Sequence, residues 1–186
     1  DDKLPNGLDI LGIPGGFSFG DYLRCGAIAA NSRITSAIID FANAGGYIIG
    51  ICNGFQILCE TGLLPGALVR NTGMKFICRN EEISVENCGS AFTKNYDLDQ
   101  KLILPIAHHD GNYTANPETL NELEETSRIA FKYKKNPNGS LNNIAGILSK
   151  NHRVLGMMPH PERAFSDYHS SIDGSTIFKS LYNSLS

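Results

Sequence analysis

The chain has 186 residues, enough for one domain with a substantial core, and its 41% hydrophobic and 19% charged residues are ordinary for a globular protein. A formal net charge of −3 gives no electrostatic reason to expect nucleic acid or an anionic membrane surface as a partner. No apolar stretch approaches the roughly 20 residues that span a bilayer, and Asp1-Asp2-Lys3-Leu4-Pro5 has no signal-peptide character. The five cysteines form no CxxC pair and no metal-ligand spacing. They point to a reducing, cytoplasmic setting rather than a disulfide scaffold.

In chain order, Leu8-Asp9-Ile10-Leu11-Gly12-Ile13 reads as a short buried strand running into Pro14-Gly15-Gly16. Residues 33–44 carry Ile34, Ala37, Ile38 and Phe41 at helical spacing, and Gly45-Gly46 stops them. Tyr47-Ile48-Ile49-Gly50-Ile51 is a second strand, and Phe55-Gln56-Ile57-Leu58-Cys59-Glu60 a short helix ending near Gly62. Strand alternating with helix predicts a mostly parallel sheet flanked by helices, with a site at the carboxyl ends of its strands.

From Gly66 to Ile106 helical spacing disappears. Phe76-Ile77-Cys78, Ile83-Ser84-Val85 and Leu102-Ile103-Leu104-Pro105-Ile106 predict an antiparallel β excursion. Residues 127–134 and 144–148 are further strand candidates, on either side of the turn Asn136-Pro137-Asn138-Gly139-Ser140. Val154-Leu155-Gly156-Met157-Met158 is a last buried strand, and residues 176–185 a closing helix with Ile177, Leu181 and Leu185 on one face. Nothing divides residues 1–186 into more than one domain. A sheet of this kind rarely opens on an isolated strand, so a strand-helix-strand unit is expected upstream of Asp1.

The chemistry concentrates at Gly50-Ile51-Cys52-Asn53-Gly54. A side chain on a tight strand-to-helix turn projects outward, and small neighbours let the backbone bend that sharply. Cys52 also falls at a helix N-terminus, where N–H groups and the helix dipole favour a thiolate. Pro159-His160-Pro161-Glu162 ends the last strand with a base and, two residues on, a carboxylate that can orient it. The backbone N–H groups of Gly16 and Asn53 are candidates for an oxyanion hole, although Pro14-Gly15-Gly16 also suits an ordinary type II turn. Cys25, Cys59, Cys78 and Cys88 read as structural residues. At most one of His108 and His109 faces the crevice, because neighbours on a strand point opposite ways. His152 and His169 read as surface residues, and residues 132–135 as a solvated face.

Together, Gly50-Ile51-Cys52-Asn53-Gly54-Phe55-Gln56, Pro14-Gly15-Gly16 and Pro159-His160-Pro161-Glu162 resemble a class I, triad-type glutamine amidotransferase of flavodoxin-like fold. The block from Pro14 through Phe17-Ser18-Phe19-Gly20-Asp21-Tyr22-Leu23-Arg24 to Gly26 narrows this to the glutaminase subunits of phosphoribosylformylglycinamidine synthase. Gly62-Leu63-Leu64-Pro65-Gly66 and Gly156-Met157-Met158-Pro159-His160 extend the likeness. Where the family leads us to expect Ile-Ala-His-Gly-Glu-Gly, this chain has Ile106-Ala107-His108-His109-Asp110-Gly111.

The resemblance implies a Cys52–His160–Glu162 triad that hydrolyses glutamine. It also implies a synthetase partner that uses the ammonia to amidate formylglycinamide ribonucleotide in purine biosynthesis, with a small accessory subunit as a further candidate partner. It implies no metal or cofactor at the glutaminase site, with ATP and Mg confined to the synthetase. Gln56 and Arg24 are candidates for glutamine contacts, or equally for supporting and interface positions. Another amidotransferase, a general thiol hydrolase and a catalytically silent regulatory subunit are the rival readings.

Overall fold

A computed structural model describes residues 2–16 and 25–185 of the chain, with Cys25 described in its backbone only. Its centre is a seven-stranded sheet in the order β1-β2-β9-β8-β7-β4-β5. Strands β1 (Ile10–Ile13), β2 (Tyr47–Ile51) and β9 (Val154–Met157) run parallel. Strands β8 (Ile144–Leu148), β7 (Ile129–Tyr133), β4 (Ile77–Val85) and β5 (Lys101–His108) continue the same sheet in antiparallel pairings. The expected excursion is therefore an extension of the parallel sheet rather than a separate layer. Strands β3 (Ala67–Val69) and β6 (Asn112–Thr114) form a small antiparallel pair of their own.

The centre of the sheet follows from unbroken apolar runs. Every residue of β8 and β9 is buried, as are the last four of β2, which is the pattern of strands covered on both faces. Helices α1 (Cys25–Ala30), α2 (Thr35–Asn43), α3 (Asn53–Glu60), α4 (Pro117–Glu125) and α5 (Ser175–Tyr182) complete the fold. Helix α3 lies closely against β1 and β2 because two glycines allow it. A Cβ on Gly54 would come within 2.0 Å of the Ile13 carbonyl oxygen, and one on Gly50 within 2.4 Å of Leu58 Cδ1.

Several details differ from the sequence reading. Phe76-Ile77-Cys78 and Ile83-Ser84-Val85 belong largely to one nine-residue strand, β4, because cross-strand pairing to β5 carries the polar residues Arg79 to Glu82 through the ladder. Helix α4 was not expected: it buries only Leu123, so its apolar stripe is thin. Its start is nevertheless encoded, since the Asn116 side chain accepts from Thr119 N–H at 2.8 Å and Pro117 takes the first turn. The structural reading of the cysteines holds for Cys59, which is buried. Cys78 is exposed on β4, so that residue is corrected to a surface thiol.

Candidate active site

The parallel register places three chain segments at one edge. Ile13 pairs with Gly50, and Ile51 with Met157, so the residues after β1, β2 and β9 leave the sheet together. Cys52 sits between β2 and α3 at φ 53° and ψ −108°, outside the regions ordinary L-residues occupy. Its N–H donates to the Met157 carbonyl at 2.9 Å, and its own carbonyl accepts from Gln56 N–H at 3.2 Å, which starts the helix. The strained residue is thus fixed from both sides. Its Sγ lies 3.6 Å from the Ala107 carbonyl oxygen.

His160 follows β9, and its N–H donates to the Pro105 carbonyl at 2.8 Å. A 3-10 turn, Pro161–Arg163, then brings Glu162 back so that its Oε1 lies 2.6 Å from His160 Nδ1. The imidazole is buried, and its Nε2 has no hydrogen-bond partner among the described residues. Gly15 ties this ring to the cysteine. A Cβ on Gly15 would fall 2.9 Å from both Cys52 Cβ and His160 Cε1, so the two side chains flank Gly15. The structure therefore brings together Cys52, His160, Glu162 and the Pro14-Gly15-Gly16 turn.

Gly16, the residue after Gly15, donates its N–H to Asn53 Oδ1 at 3.1 Å. The Asn53 amide donates to Gln56 Oε1 at 2.8 Å, and the Gln56 amide to the Asp110 carbonyl at 2.8 Å. Gln56 is thus buried within a polar chain between α3 and the β5–β6 loop. Arg24 lies outside the described residues.

His108 and His109 divide as the strand alternation predicts. His109 packs its edge against Phe76, with ring centroids 5.6 Å apart, whereas His108 is buried. The Asn71 amide donates to the carbonyls of Lys75 and His108, so its Oδ1 must accept, and His108 Nδ1 at 3.1 Å carries the hydrogen. His108 Nε2 is then a bare acceptor without a partner among the described residues. Burial, aided by the nearby charge of His160, pulls the His108 pKa down to about 4, so this ring stays neutral near pH 7. Asp110 is held through Oδ1 by Arg70 Nε at 2.6 Å.

Asn71 and Arg70 are not marked by the sequence as site-shaping residues, because their contacts to His108 and Asp110 join segments distant along the chain. Among the described residues no group of three or more His, Cys, Asp or Glu side chains is arranged to hold a metal ion. No helix among them is long and apolar enough to cross a membrane.

A nucleophile at an elbow, an imidazole beside it and a carboxylate on the far ring nitrogen are the parts needed for acyl transfer. The family model of the CobB/CobQ-like glutamine amidotransferase domain matches residues 6–179. Phosphoribosylformylglycinamidine synthase subunit PurQ of Cereibacter sphaeroides is 60% identical over 181 residues, covering 97% of this chain and 82% of that protein. The subunit of the same name from Roseobacter denitrificans is 58% identical over 185 residues, covering 100% of this chain and 83% of its own. The solved structure of PurLQS from Thermotoga maritima superposes with a TM-score of 0.92 at 42% identity, covering 100% of this chain and 84% of that one.

Proposed function

The chain belongs to the PurQ family of glutamine amidotransferases, and on that footing we propose that it is the glutaminase subunit of a phosphoribosylformylglycinamidine synthase. It hydrolyses glutamine and passes the ammonia to a synthetase subunit, PurL, which converts formylglycinamide ribonucleotide to formylglycinamidine ribonucleotide in purine biosynthesis. The third component in the name PurLQS supports a small accessory subunit as a further partner. The place of such an enzyme is the cytoplasm.

The chemistry needs only this chain's own groups. Cys52 Sγ attacks the γ-carboxamide carbon of glutamine while His160 Nε2 takes the thiol proton. Collapse of the tetrahedral intermediate breaks the C–N bond, and His160 returns the proton to the leaving nitrogen, releasing ammonia. Water then attacks the glutamyl thioester with His160 again as base, which yields glutamate and restores the thiol. Glu162, on Nδ1, fixes the tautomer and steadies the imidazolium. The N–H groups of Asn53 and Gly16 are proposed to hold the oxyanion. No metal or cofactor enters this sequence; ATP and Mg act on the synthetase.

The observation that carries the reading is the approach of the Cys52 and His160 side chains over Gly15, where a Cβ would fall 2.9 Å from both Cys52 Cβ and His160 Cε1. The test is steady-state ammonia release from glutamine by the subunit alone and with the synthetase and its nucleotide ligands. Low activity alone and strong activation in the complex are expected, with both lost in Cys52→Ala. Hydrolysis undiminished by Cys52→Ala would sink the proposal.

A further inference from the structure

The hydrogen bonds around Gly16 form a chain whose direction is fixed at both ends. A backbone N–H can only donate, so Asn53 must present Oδ1 to Gly16. Its Nδ2 then faces Gln56 Oε1, and Gln56 presents Nε2 to the Asp110 carbonyl, which can only accept. Neither amide can be flipped without losing two bonds. Both side chains are buried, where an unmade hydrogen bond is costly. Beyond Asp110 the chain continues to Arg70, whose side chain is 33% exposed.

An oxyanion donor must aim at the oxygen of the carbonyl under attack, at about 2.7–3.1 Å. The Gly16 N–H carries one hydrogen, and in this structure that hydrogen is directed to Asn53 Oδ1. The same residue whose backbone N–H is offered as one half of the oxyanion hole occupies the other half with its side chain. We propose that Asn53 is a positioning residue that withholds the Gly16 N–H from glutamine. Gln56 and Asp110 set the Asn53 amide, and docking of the synthetase partner releases it. This rests on the glutaminase reading and adds to it a residue-level reason for silence of the isolated subunit.

Removing the Asn53 amide leaves the Gly16 N–H with the oxyanion as its acceptor. Losing one oxyanion donor typically lowers turnover by about 10²–10³-fold, so recovering one without the partner should be visible. The experiment compares wild type and Asn53→Ala, each as full-length subunit alone and in the synthetase complex, by glutamine hydrolysis. Asn53→Ala alone is expected to show kcat raised by about 10-fold or more with KM little changed, so that the activation ratio on complex formation falls by a similar factor. In parallel, hydrogen exchange at the Gly16 amide of the wild-type subunit should be slow, and faster in the variant.

If Asn53→Ala alone is no faster than wild type while the wild-type complex is active, the latch is overturned and the glutaminase reading stands. Loss of activity in both forms of the variant, with a cooperative melt retained, also overturns it, because Asn53 then supports the hole rather than restraining it. If the variant does not fold, rapid exchange of the wild-type Gly16 amide overturns it independently. A wild-type complex without glutamine hydrolysis removes the reading and the latch together.

Discussion

Glu162 grips His160 from the open side of the site: Oε1 lies 2.6 Å from Nδ1, while the carboxylate side chain is 41% exposed and the imidazole only 2%. The proposed base is thus enclosed, and the carboxylate proposed to orient it meets solvent. Removing the base itself, in His160→Ala, is expected to lower glutaminase kcat in the complex by at least about 10³-fold. Glu162→Gln keeps the shape and loses the charge, and a smaller fall is expected, since the orienter transfers no proton. The measurement is kcat for both variants in the assembled complex. Near-normal turnover by His160→Ala contradicts the triad.

Gly15 is expected to tolerate no side chain. The methyl of Gly15→Ala would press on both Cys52 Cβ and His160 Cε1 at 2.9 Å, and on the Ile51 carbonyl oxygen at 3.3 Å. Displacing thiol from imidazole by a fraction of this distance costs turnover, of order 10²-fold for about 1 Å. Gly12→Ala, three residues earlier, meets nothing within 4 Å and serves as the control. Equal glutaminase rates for the two variants would show that the packing over Gly15 does not set the reacting geometry.

The cysteines are expected to separate by reagent. Burial pushes the Cys59 thiol well up, and the charge of Glu60 adds to the effect, so that residue is inert. Cys78 is exposed and should react with any small alkylating reagent. A glutamine-shaped electrophile should instead modify Cys52, read by peptide mass mapping. Modification of Cys78 with Cys52 untouched would move the nucleophile elsewhere.

His108 gives the fold a pH dependence of known sign. Its folded pKa of about 4 lies below the ordinary value of 6.5, so between these values the unfolded chain binds more protons. Stability therefore falls as pH drops from about 6.5 to about 4, by about 3 kcal/mol from this residue in full. His108→Asn keeps a donor towards Asn71 and removes the titration. Urea midpoints across this range should fall less steeply in the variant. Identical slopes would place the titrating group elsewhere.

What the sequence made legible was local. Gly50 and Gly54 flank Cys52 two residues to either side, Glu162 follows His160 by two, and β2, β8 and β9 are unbroken apolar runs between turn residues. What escaped depended on contacts across the chain. Asn71 reaches from its loop to His108 and Gly111, and the amides of Asn53 and Gln56 connect Gly16 to Asp110; no spacing encodes either link. Helix α4 escaped because a surface helix needs only one buried leucine, Leu123. Strand β4 read as two fragments because its ladder to β5, rather than apolar alternation, holds Arg79 to Glu82 in extended form.

In the proposed reaction, Cys52 frees the nitrogen that the synthetase installs. The direct measurement supplies the assembled complex with ATP, Mg, formylglycinamide ribonucleotide and glutamine labelled with ¹⁵N in its amide, and follows the label into formylglycinamidine ribonucleotide. Wild type should transfer the label. Cys52→Ala should transfer none, yet still form product from added ammonia, because the synthetase remains intact. Labelled product from Cys52→Ala at the wild-type rate would contradict the account.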